Sequence, residues 1–260
     1  MSYQTLQFDL QGEVATITLN RPERRNAISP EMIEDIFAVF DEAEQGAARV
    51  VILTGTGKAF CAGMDLEALR SLATQTQEQH MADAKRMGAM FHRVYSFPKP
   101  LIAAVNGPAI AGGTGLATLC DFTLAVPDAK FGYTEVRIGF LPAVVSVFLL
   151  RQVGEKLTRE LLLTGKLIDA AEAHRLGLVT EIVAPDKLMD STHELAQTLI
   201  SFSPTSLRST KRLILQWSEK EIERDLAIAI RESAEIRRTE DFREGLASFL
   251  EKRKPHWHDR

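Results

Sequence analysis

Cysteine is scarce in this chain of 260 residues, which contains only Cys61 and Cys120. Two cysteines exclude a disulfide framework and a cysteine-based zinc site, and two free thiols favour a reducing compartment. Positive charge is not in excess either, because 31 lysines and arginines stand against 35 aspartates and glutamates, a formal net charge of −4. A general nucleic-acid binder usually carries a basic surplus, so that class of protein is disfavoured.

Long apolar runs are also missing from the chain. The longest, Leu141 to Leu150, falls well short of the roughly 20 residues that a membrane-spanning helix needs. The N-terminal segment lacks the basic start and apolar run of a signal peptide. The sequence therefore predicts a soluble, cytoplasmic protein without membrane contact.

Several common catalytic motifs are absent. The segment Gly55 to Lys58 resembles part of a phosphate-binding loop, but Ile52 stands where the first glycine belongs and Ala59 where Ser or Thr follows the lysine. The histidines form no HExxH pattern, and no serine lies in a G-x-S-x-G motif. Nucleotide-loop, metal-dependent and serine-hydrolase chemistry are therefore disfavoured, and no metal site is expected.

Strand and helix signals alternate over the first half of the chain. Alternation at period two over residues 6–19 predicts a hairpin, and apolar runs at residues 49–53 and 101–105 predict buried strands. Ser29-Pro30 is typical of a helix start, and a long helical stretch is predicted from about Asp65 to Tyr95. This order predicts an α/β core.

Helix signals dominate the second half. Helices are predicted at residues 142–153 and 169–176, and another opens at Ser203-Pro204. No linker of substantial length separates them from the first half. We therefore predict an α/β core over residues 1–202 and a C-terminal helical region over residues 203–260, which packs on the core or on a neighbouring subunit.

Two glycine-rich segments each follow a predicted buried strand, the first from Lys58 to Leu66 and the second from Asn106 to Gly115. Glycine lets the backbone approach a ligand closely, and a helix that follows points free N–H groups at it. Two such loops on neighbouring strands could aim two backbone N–H groups at one oxygen, as in an oxyanion hole. Taken alone, the same glycines could also serve only tight turns and close packing of helix on strand.

Both segments resemble signatures of the enoyl-CoA hydratase/isomerase (crotonase) family. The family pattern AFCAG-x-DL occurs from Ala59 to Leu66, and AAVNGPAIAGGTGLATLCDFTLA occupies Ala103 to Ala125. The segments Phe131 to Pro142 and Leu161 to Val183 are similar to further family signatures, in the right order. The resemblance implies a crotonase-like spiral of ββα units, with C-terminal helices that assist assembly into homotrimers or hexamers.

The resemblance also implies an enzyme that acts on acyl-CoA thioesters. In such an enzyme, the backbone N–H groups of Met64 and Gly112 would donate hydrogen bonds to an enolate-like thioester oxygen. Glu135 matches the later of two family glutamates that handle the proton. The earlier glutamate maps onto Gly115, so this chain departs from the family pattern there and lacks one carboxylate of the pair.

Contacts with coenzyme A are implied at four further positions. Arg25 would approach the phosphates, Ala62 would lie near the adenine and pantetheine, and Phe249 and Lys252 would reach the coenzyme A of a neighbouring subunit. Alternatively, Phe249 is ordinary helix packing, and Lys252 belongs to a solvated charge run at residues 251–254. Coenzyme A is then part of the substrate, and no separate cofactor is expected.

Neighbouring residues have simpler interpretations. Asp65 is typical of a helix cap that fixes the first glycine-rich loop. Cys61 is interpreted as a small buried side chain, because nothing around it indicates an activated thiolate. Glu135 could pair with Arg137, its same-side neighbour two residues along a predicted strand.

The leading hypothesis is an enoyl-CoA hydratase. The segment Val136 to Leu150 looks similar to the methylglutaconyl-CoA hydratase-type branch, some of whose members also lack the earlier glutamate. The alternative is a Δ3,Δ2-enoyl-CoA isomerase, in which Glu135 alone moves a proton between C2 and C4. A non-enzymatic RNA-binding role could use the small basic cluster of Arg208, Lys211 and Arg212, but acidic residues interleaved along the tail disfavour it.

Overall fold

The computed structural model describes residues 3–257 and centres on a six-stranded sheet. In spatial order its strands are β1 (Leu6–Gln11), β2 (Val14–Leu19), β3 (Val50–Gly55), β4 (Leu101–Val105), β6 (Phe122–Ala125) and β9 (Glu181–Ile182). The first two form the antiparallel hairpin that the period-two alternation predicts, and each later neighbour pairs in parallel. All five residues of β4 are buried, as expected of a parallel strand covered on both faces.

A second, smaller sheet brings the second glycine-rich segment beside the segment that contains Glu135. Its strands lie in the order β5 (Ala109–Ile110), β7 (Lys130–Gly132) and β8 (Ile168–Asp169). The first two strands run parallel, and Ile110 pairs with Gly132 at their ends. The chain therefore leaves both strands at the same edge, where Gly112 and Glu135 follow within three residues.

Nine α-helices cover the two sheets within the described residues. They are α1 (Pro30–Gln45), α2 (Leu66–Leu72), α3 (Gln77–Tyr95), α4 (Gly112–Thr118), α5 (Ala143–Thr164), α6 (Ala170–Arg175), α7 (Leu188–Ile200), α8 (Pro204–Ile236) and α9 (Glu240–Glu251). Ser29 and Ser203 accept hydrogen bonds as the N-caps of α1 and α8, where the sequence predicts helix starts. Between residues 3 and 257, none of these helices combines the length and apolar character needed to cross a membrane.

The segment from about Asp65 to Tyr95 is largely helical, as predicted, and the structure divides it into two helices, α2 and α3. Asp65 caps α2 by accepting hydrogen bonds from the N–H groups of Glu67 and Ala68. Thr76 and Gln79 then form a capping box that starts α3. Side chains that bond to the local backbone compete with helix continuation, and here they begin a new helix.

The C-terminal helices pack on the core of their own chain. Helix α8 contacts α3 and α5, and α9 contacts a short 3-10 helix at Glu135–Ile138. A Cβ at Gly245 of α9 would lie 2.3 Å from the carbonyl oxygen of Ile138, so glycine permits this close approach. Helix α9 thereby supports the segment that carries Glu135. The boundary at residues 202–203 and the assembly of subunits stay predictions.

Candidate active site

The two glycine-rich segments lie against each other and are joined by backbone hydrogen bonds. The N–H groups of Phe60 and Cys61 donate to the oxygen of Pro108 at 3.1 and 3.2 Å, and Ile110 N–H donates to Cys61 O at 2.9 Å. A Cβ at Gly113 would lie 2.2 Å from Cys61 O. The second segment therefore needs glycine there in order to approach the first so closely.

The first glycine-rich segment is also held from its other side. Ile28 N–H donates to Gly63 O at 2.7 Å, and Asp65 N–H donates to Ile28 O at 2.9 Å. Asp65, besides capping α2, pairs with Arg21 at 3.0 Å, so its predicted role as a cap is confirmed. Between these anchors, the N–H of Met64 makes no hydrogen bond to any residue from 3 to 257.

The second candidate donor lies at the start of α4. Ala111 has φ +52° and ψ −121°, which is strained for a residue with a side chain, and its N–H donates to Gly132 O at 2.7 Å. The next N–H, that of Gly112, begins α4 and has no acceptor in the described part of the chain. Backbone strain of this kind clusters at functional sites, because the surrounding structure must hold it in place.

Both free N–H groups border a cleft of about 640 Å³ in which most of the predicted site residues meet. The cleft is lined by six of the seven, namely Arg25, Ala62, Met64, Gly112, Glu135 and Phe249. Lys252 is the exception: it is exposed and ends α9 in a left-handed conformation, with φ +55°. One cleft of a single chain thus brings together the residues predicted for the oxyanion and the proton, and three of the four predicted for coenzyme A.

Glu135 begins the 3-10 helix at residues 135–138, so its predicted place on a strand is wrong. Strand β7 and its parallel neighbour β5 end together, at Gly132 and Ile110, and the chain then leaves the sheet before Glu135. The two-residue spacing no longer puts Arg137 on the same side, and no ion pair joins it to Glu135 in the described structure. The Oε2 atom of Glu135 is shielded from solvent and lacks any hydrogen-bond partner.

Burial raises the pKa of Glu135 from its ordinary 4.5 to about 7, although a hydrogen bond from its own backbone N–H opposes part of this rise. A carboxyl group with a pKa near neutrality can both accept and return a proton at neutral pH. The side chain therefore has the protonation behaviour that proton transfer to and from a substrate requires.

The raised pKa predicts how stability changes with pH. The folded protein holds the proton of Glu135 more tightly than the unfolded chain does, so this residue favours folding at low pH and loses that contribution as pH rises through about 7. Glutamine does not titrate, so Glu135→Gln should not lose stability in this way. The free energy of unfolding of the variant, relative to that of the wild type, should therefore rise by about 2 kcal/mol between about pH 5.5 and about pH 8. Urea unfolding of both proteins at the two pH values measures this, and a constant difference would contradict it.

Packing leaves no room for a second carboxylate at position 115. A Cβ on Gly115 would lie 2.8 Å from Cγ1 of Val145 and 2.9 Å from Cε1 of Phe91. Both of these apolar residues line the cleft. Phe91 and Val145 are therefore packed around a glycine at position 115, and a glutamate there would require both side chains to move.

The cleft is also lined by two polar residues that belong to no recognisable sequence motif, Ser233 in α8 and Arg237 at the C-terminal end of that helix. The Arg237 side chain is 1% exposed and pairs with Asp83 at 2.7 Å. Nothing in the sequence distinguishes it from Arg238, which is 62% exposed. Only the packing of α8 on α3 shows which of these arginines faces inward.

The predicted interpretation of Cys61 as a small buried side chain fits the structure. It is fully buried, and burial raises the pKa of its thiol to about 12, so no thiolate forms near neutral pH. Over residues 3–257, no group of three or more His, Cys, Asp and Glu side chains is arranged to hold a metal ion.

The fold and the cleft together define an α/β enzyme of the crotonase type. The family model for enoyl-CoA hydratase/isomerase matches residues 9–260. The chain is 46% identical over 248 residues to a Thermus thermophilus protein named for enoyl-CoA hydratase activity, covering 95% of this chain and 98% of that one. It is 33% identical over 264 residues to crotonyl-CoA hydratase of Syntrophomonas wolfei, covering 99% of each.

A solved structure agrees with these sequence comparisons. The crystal structure of an enoyl-CoA hydratase/isomerase from Xanthobacter autotrophicus matches with a TM-score of 0.89 and 31% identity, covering 96% of this chain and 97% of that one. This protein therefore belongs to the enoyl-CoA hydratase/isomerase family, and the fold that the resemblance implies is confirmed.

Proposed function

We propose that this enzyme hydrates 2-enoyl-CoA thioesters with Glu135 as its single proton-transfer residue. The observation that carries the proposal is the Glu135 carboxyl group, whose Oε2 has no partner and whose pKa is about 7, in one cleft with two free backbone N–H groups. The name of the Syntrophomonas wolfei relative, crotonyl-CoA hydratase, supports the same reaction.

The proposed reaction uses one carboxylate twice. The N–H groups of Met64 and Gly112 donate to the thioester oxygen and stabilise the negative charge that develops there as water adds to C3. The ionised Glu135 accepts a proton from that water as the C3–O bond forms, and it then returns a proton to C2 of the enolate. One water is added across the double bond and Glu135 ends ionised, so the cycle needs no cofactor.

The remaining predicted residues are proposed to hold coenzyme A. Arg25 adopts a left-handed conformation with φ +52°, and its carbonyl accepts the N–H of Ala62 at 3.0 Å, which joins these two residues at the cleft. No ion pair occupies the Arg25 guanidinium in the described structure, so it is available for phosphates. Phe249 is predicted to reach the coenzyme A of a neighbouring subunit, but it is 48% exposed and lines the cleft of its own chain, so we propose that it contacts the coenzyme A bound there. Lys252 is retained as a contact to the coenzyme A of a neighbouring subunit.

Assembly and location complete the proposal. We infer a homotrimer or a hexamer made of two trimers, as the family resemblance implies. The two cysteines are free and buried, which fits a reducing, cytoplasmic location. Of the basic cluster considered for RNA, Lys211 already pairs with Asp121 at 2.6 Å, which favours a structural role for that residue.

Isomerisation of a 3-enoyl-CoA is the second candidate. The filled space at Gly115 favours it, because a side chain at that position, and with it the second carboxylate of the hydratase pattern, would collide with Phe91 and Val145. In this reaction Glu135 removes a proton from C2, which leaves a dienolate held at the thioester oxygen, and it returns a proton to C4, so a single carboxyl group suffices.

The conjugated enoyl-thioester absorbance distinguishes these reactions. Purified protein is given crotonyl-CoA and, separately, 3-hexenoyl-CoA. We expect the absorbance to fall with crotonyl-CoA, as water removes the conjugated double bond. An absorbance rise with 3-hexenoyl-CoA and no change with crotonyl-CoA would instead identify an isomerase, and no change with either substrate would refute both proposals.

A further inference from the structure

The wall of the cleft that α8 forms carries two polar side chains that the proposed reaction does not use. Ser233 and Arg237 are four residues apart and lie on the same side of the helix end, where both line the cleft. They are 5% and 3% exposed. The wall around them is apolar, with Leu69, Met87 and Phe140 among its residues.

Arg237 has more hydrogen-bond donors than partners. A guanidinium group offers five N–H donors, and the one hydrogen bond that it makes within residues 3–257 runs from Nη1 to Oδ2 of Asp83 at 2.7 Å. Its Nε is buried without an acceptor, and the group stacks on Phe140 at 5.3 Å from the ring centre. Buried donors without acceptors cost free energy, so their presence requires an explanation.

Ser233 provides a second polar group with unused hydrogen-bonding capacity, one turn of helix from Arg237. Several helical serines in this chain satisfy their hydroxyls on their own helix, as Ser146 does by donating to Ala143 O at 2.6 Å. The Ser233 hydroxyl makes no hydrogen bond to any described residue, although the residue is buried against the cleft. A hydroxyl without a partner and a guanidinium with donors left over from its ion pair both line one cavity, and together they form a site for an oxygen atom of a ligand.

We propose that Ser233 and Arg237 recognise an oxygen acceptor carried by the acyl group, apart from the thioester oxygen. The acceptor is a hydroxyl, carbonyl or carboxylate, and a plain alkyl chain would leave both residues unsatisfied. This inference rests on the proposed function, since it names the class of acyl-CoA that the same cleft takes. Asp83 already balances the charge of Arg237, so a neutral oxygen is accommodated as well as an anionic one.

Binding of saturated thioesters tests this specificity without requiring catalysis. Isothermal titration calorimetry compares hexanoyl-CoA with 6-hydroxyhexanoyl-CoA and with adipoyl-CoA, whose acyl chains have the same number of carbons. A hydrogen bond to a charged group corresponds to about tenfold in affinity or more. We expect the wild type to bind at least one of the oxygenated thioesters about tenfold more tightly than hexanoyl-CoA, and the tighter of the two identifies a neutral or an anionic acceptor.

Variants assign the preference to these side chains. Arg237→Met and Ser233→Ala should each reduce it several-fold. Arg231→Met is the matched control, because Arg231 lies on the same helix with its side chain 61% exposed, and it should leave the preference intact. Arg237→Met leaves Asp83 unpaired and is checked by circular dichroism; Ser233→Ala keeps that ion pair, so it remains informative if Arg237→Met fails to fold.

Two results would overturn the inference: equal affinity of the wild type for all three thioesters, or a preference that both cleft variants retain. Hydration of 2-hexenoyl-CoA is measured on the same samples. Absent hydration with a preserved binding preference would refute the proposed reaction alone, whereas normal hydration without a preference would refute the oxygen-acceptor site alone.

Discussion

Replacing Glu135 with glutamine should lower kcat for hydration by about 10²- to 10⁴-fold. Glutamine nearly preserves the shape of the side chain but cannot accept a proton from water or return one to C2. No second carboxylate can enter at Gly115, because Phe91 and Val145 fill that space. The loss should therefore fall on kcat far more than on KM, since the side chain acts on the reacting atoms.

The pH dependence of the same reaction provides a second measurement of Glu135. Its carboxyl must be ionised to accept a proton, so kcat/KM should rise with pH through about 7 and level off above it. The residual activity of Glu135→Gln should lack that rise. Glu23→Gln is the matched control, because Glu23 lines the cleft within a different 3-10 helix and has no role in the proposed chemistry. A Glu135→Gln variant that keeps more than about a tenth of wild-type kcat would contradict the proposal.

Much of the fold follows from periodicity and helix caps in the sequence. The hairpin at residues 6–19 and the buried strand at residues 101–105 occur where their apolar patterns predict them, because burial of apolar side chains decides such elements. The break between α2 and α3 does not follow from that periodicity, since the segment remains helix-forming on average. There Asp65 and Thr76 determine the outcome through individual side-chain hydrogen bonds.

The candidate site was predicted only in part, for a different reason. Sequence motifs identify Met64, Gly112 and Glu135 as candidate site residues, because each of them lies within a continuous, recognisable segment. Ser233 and Arg237 lie more than 90 positions further along the chain and reach the cleft only because α8 packs on α3. The pKa of Glu135 likewise depends on the walls around it, which no local pattern specifies.

The backbone donor at Gly112 can be removed directly. Gly112 is the first residue of α4, a position where proline fits the helix and where the helix itself does not use the N–H. Gly112→Pro therefore removes the proposed N–H donor. The proline also disfavours the unusual conformation of Ala111, which orients the backbone at position 112. We expect kcat to fall by at least about 10²- to 10³-fold, as for other oxyanion-hole donors.

Gly112→Ala is the matched variant that keeps the N–H group. Its Cβ would lie 3.2 Å from Cδ1 of Ile28 and 3.4 Å from Cζ of Phe91, contacts that small side-chain shifts can relieve. Activity should therefore stay within about tenfold of the wild type, and both variants should bind free coenzyme A normally, because it has no thioester oxygen. Equal activity of the two variants would show that this N–H does not stabilise the enolate, since the N–H is the feature that the alanine keeps and the proline removes.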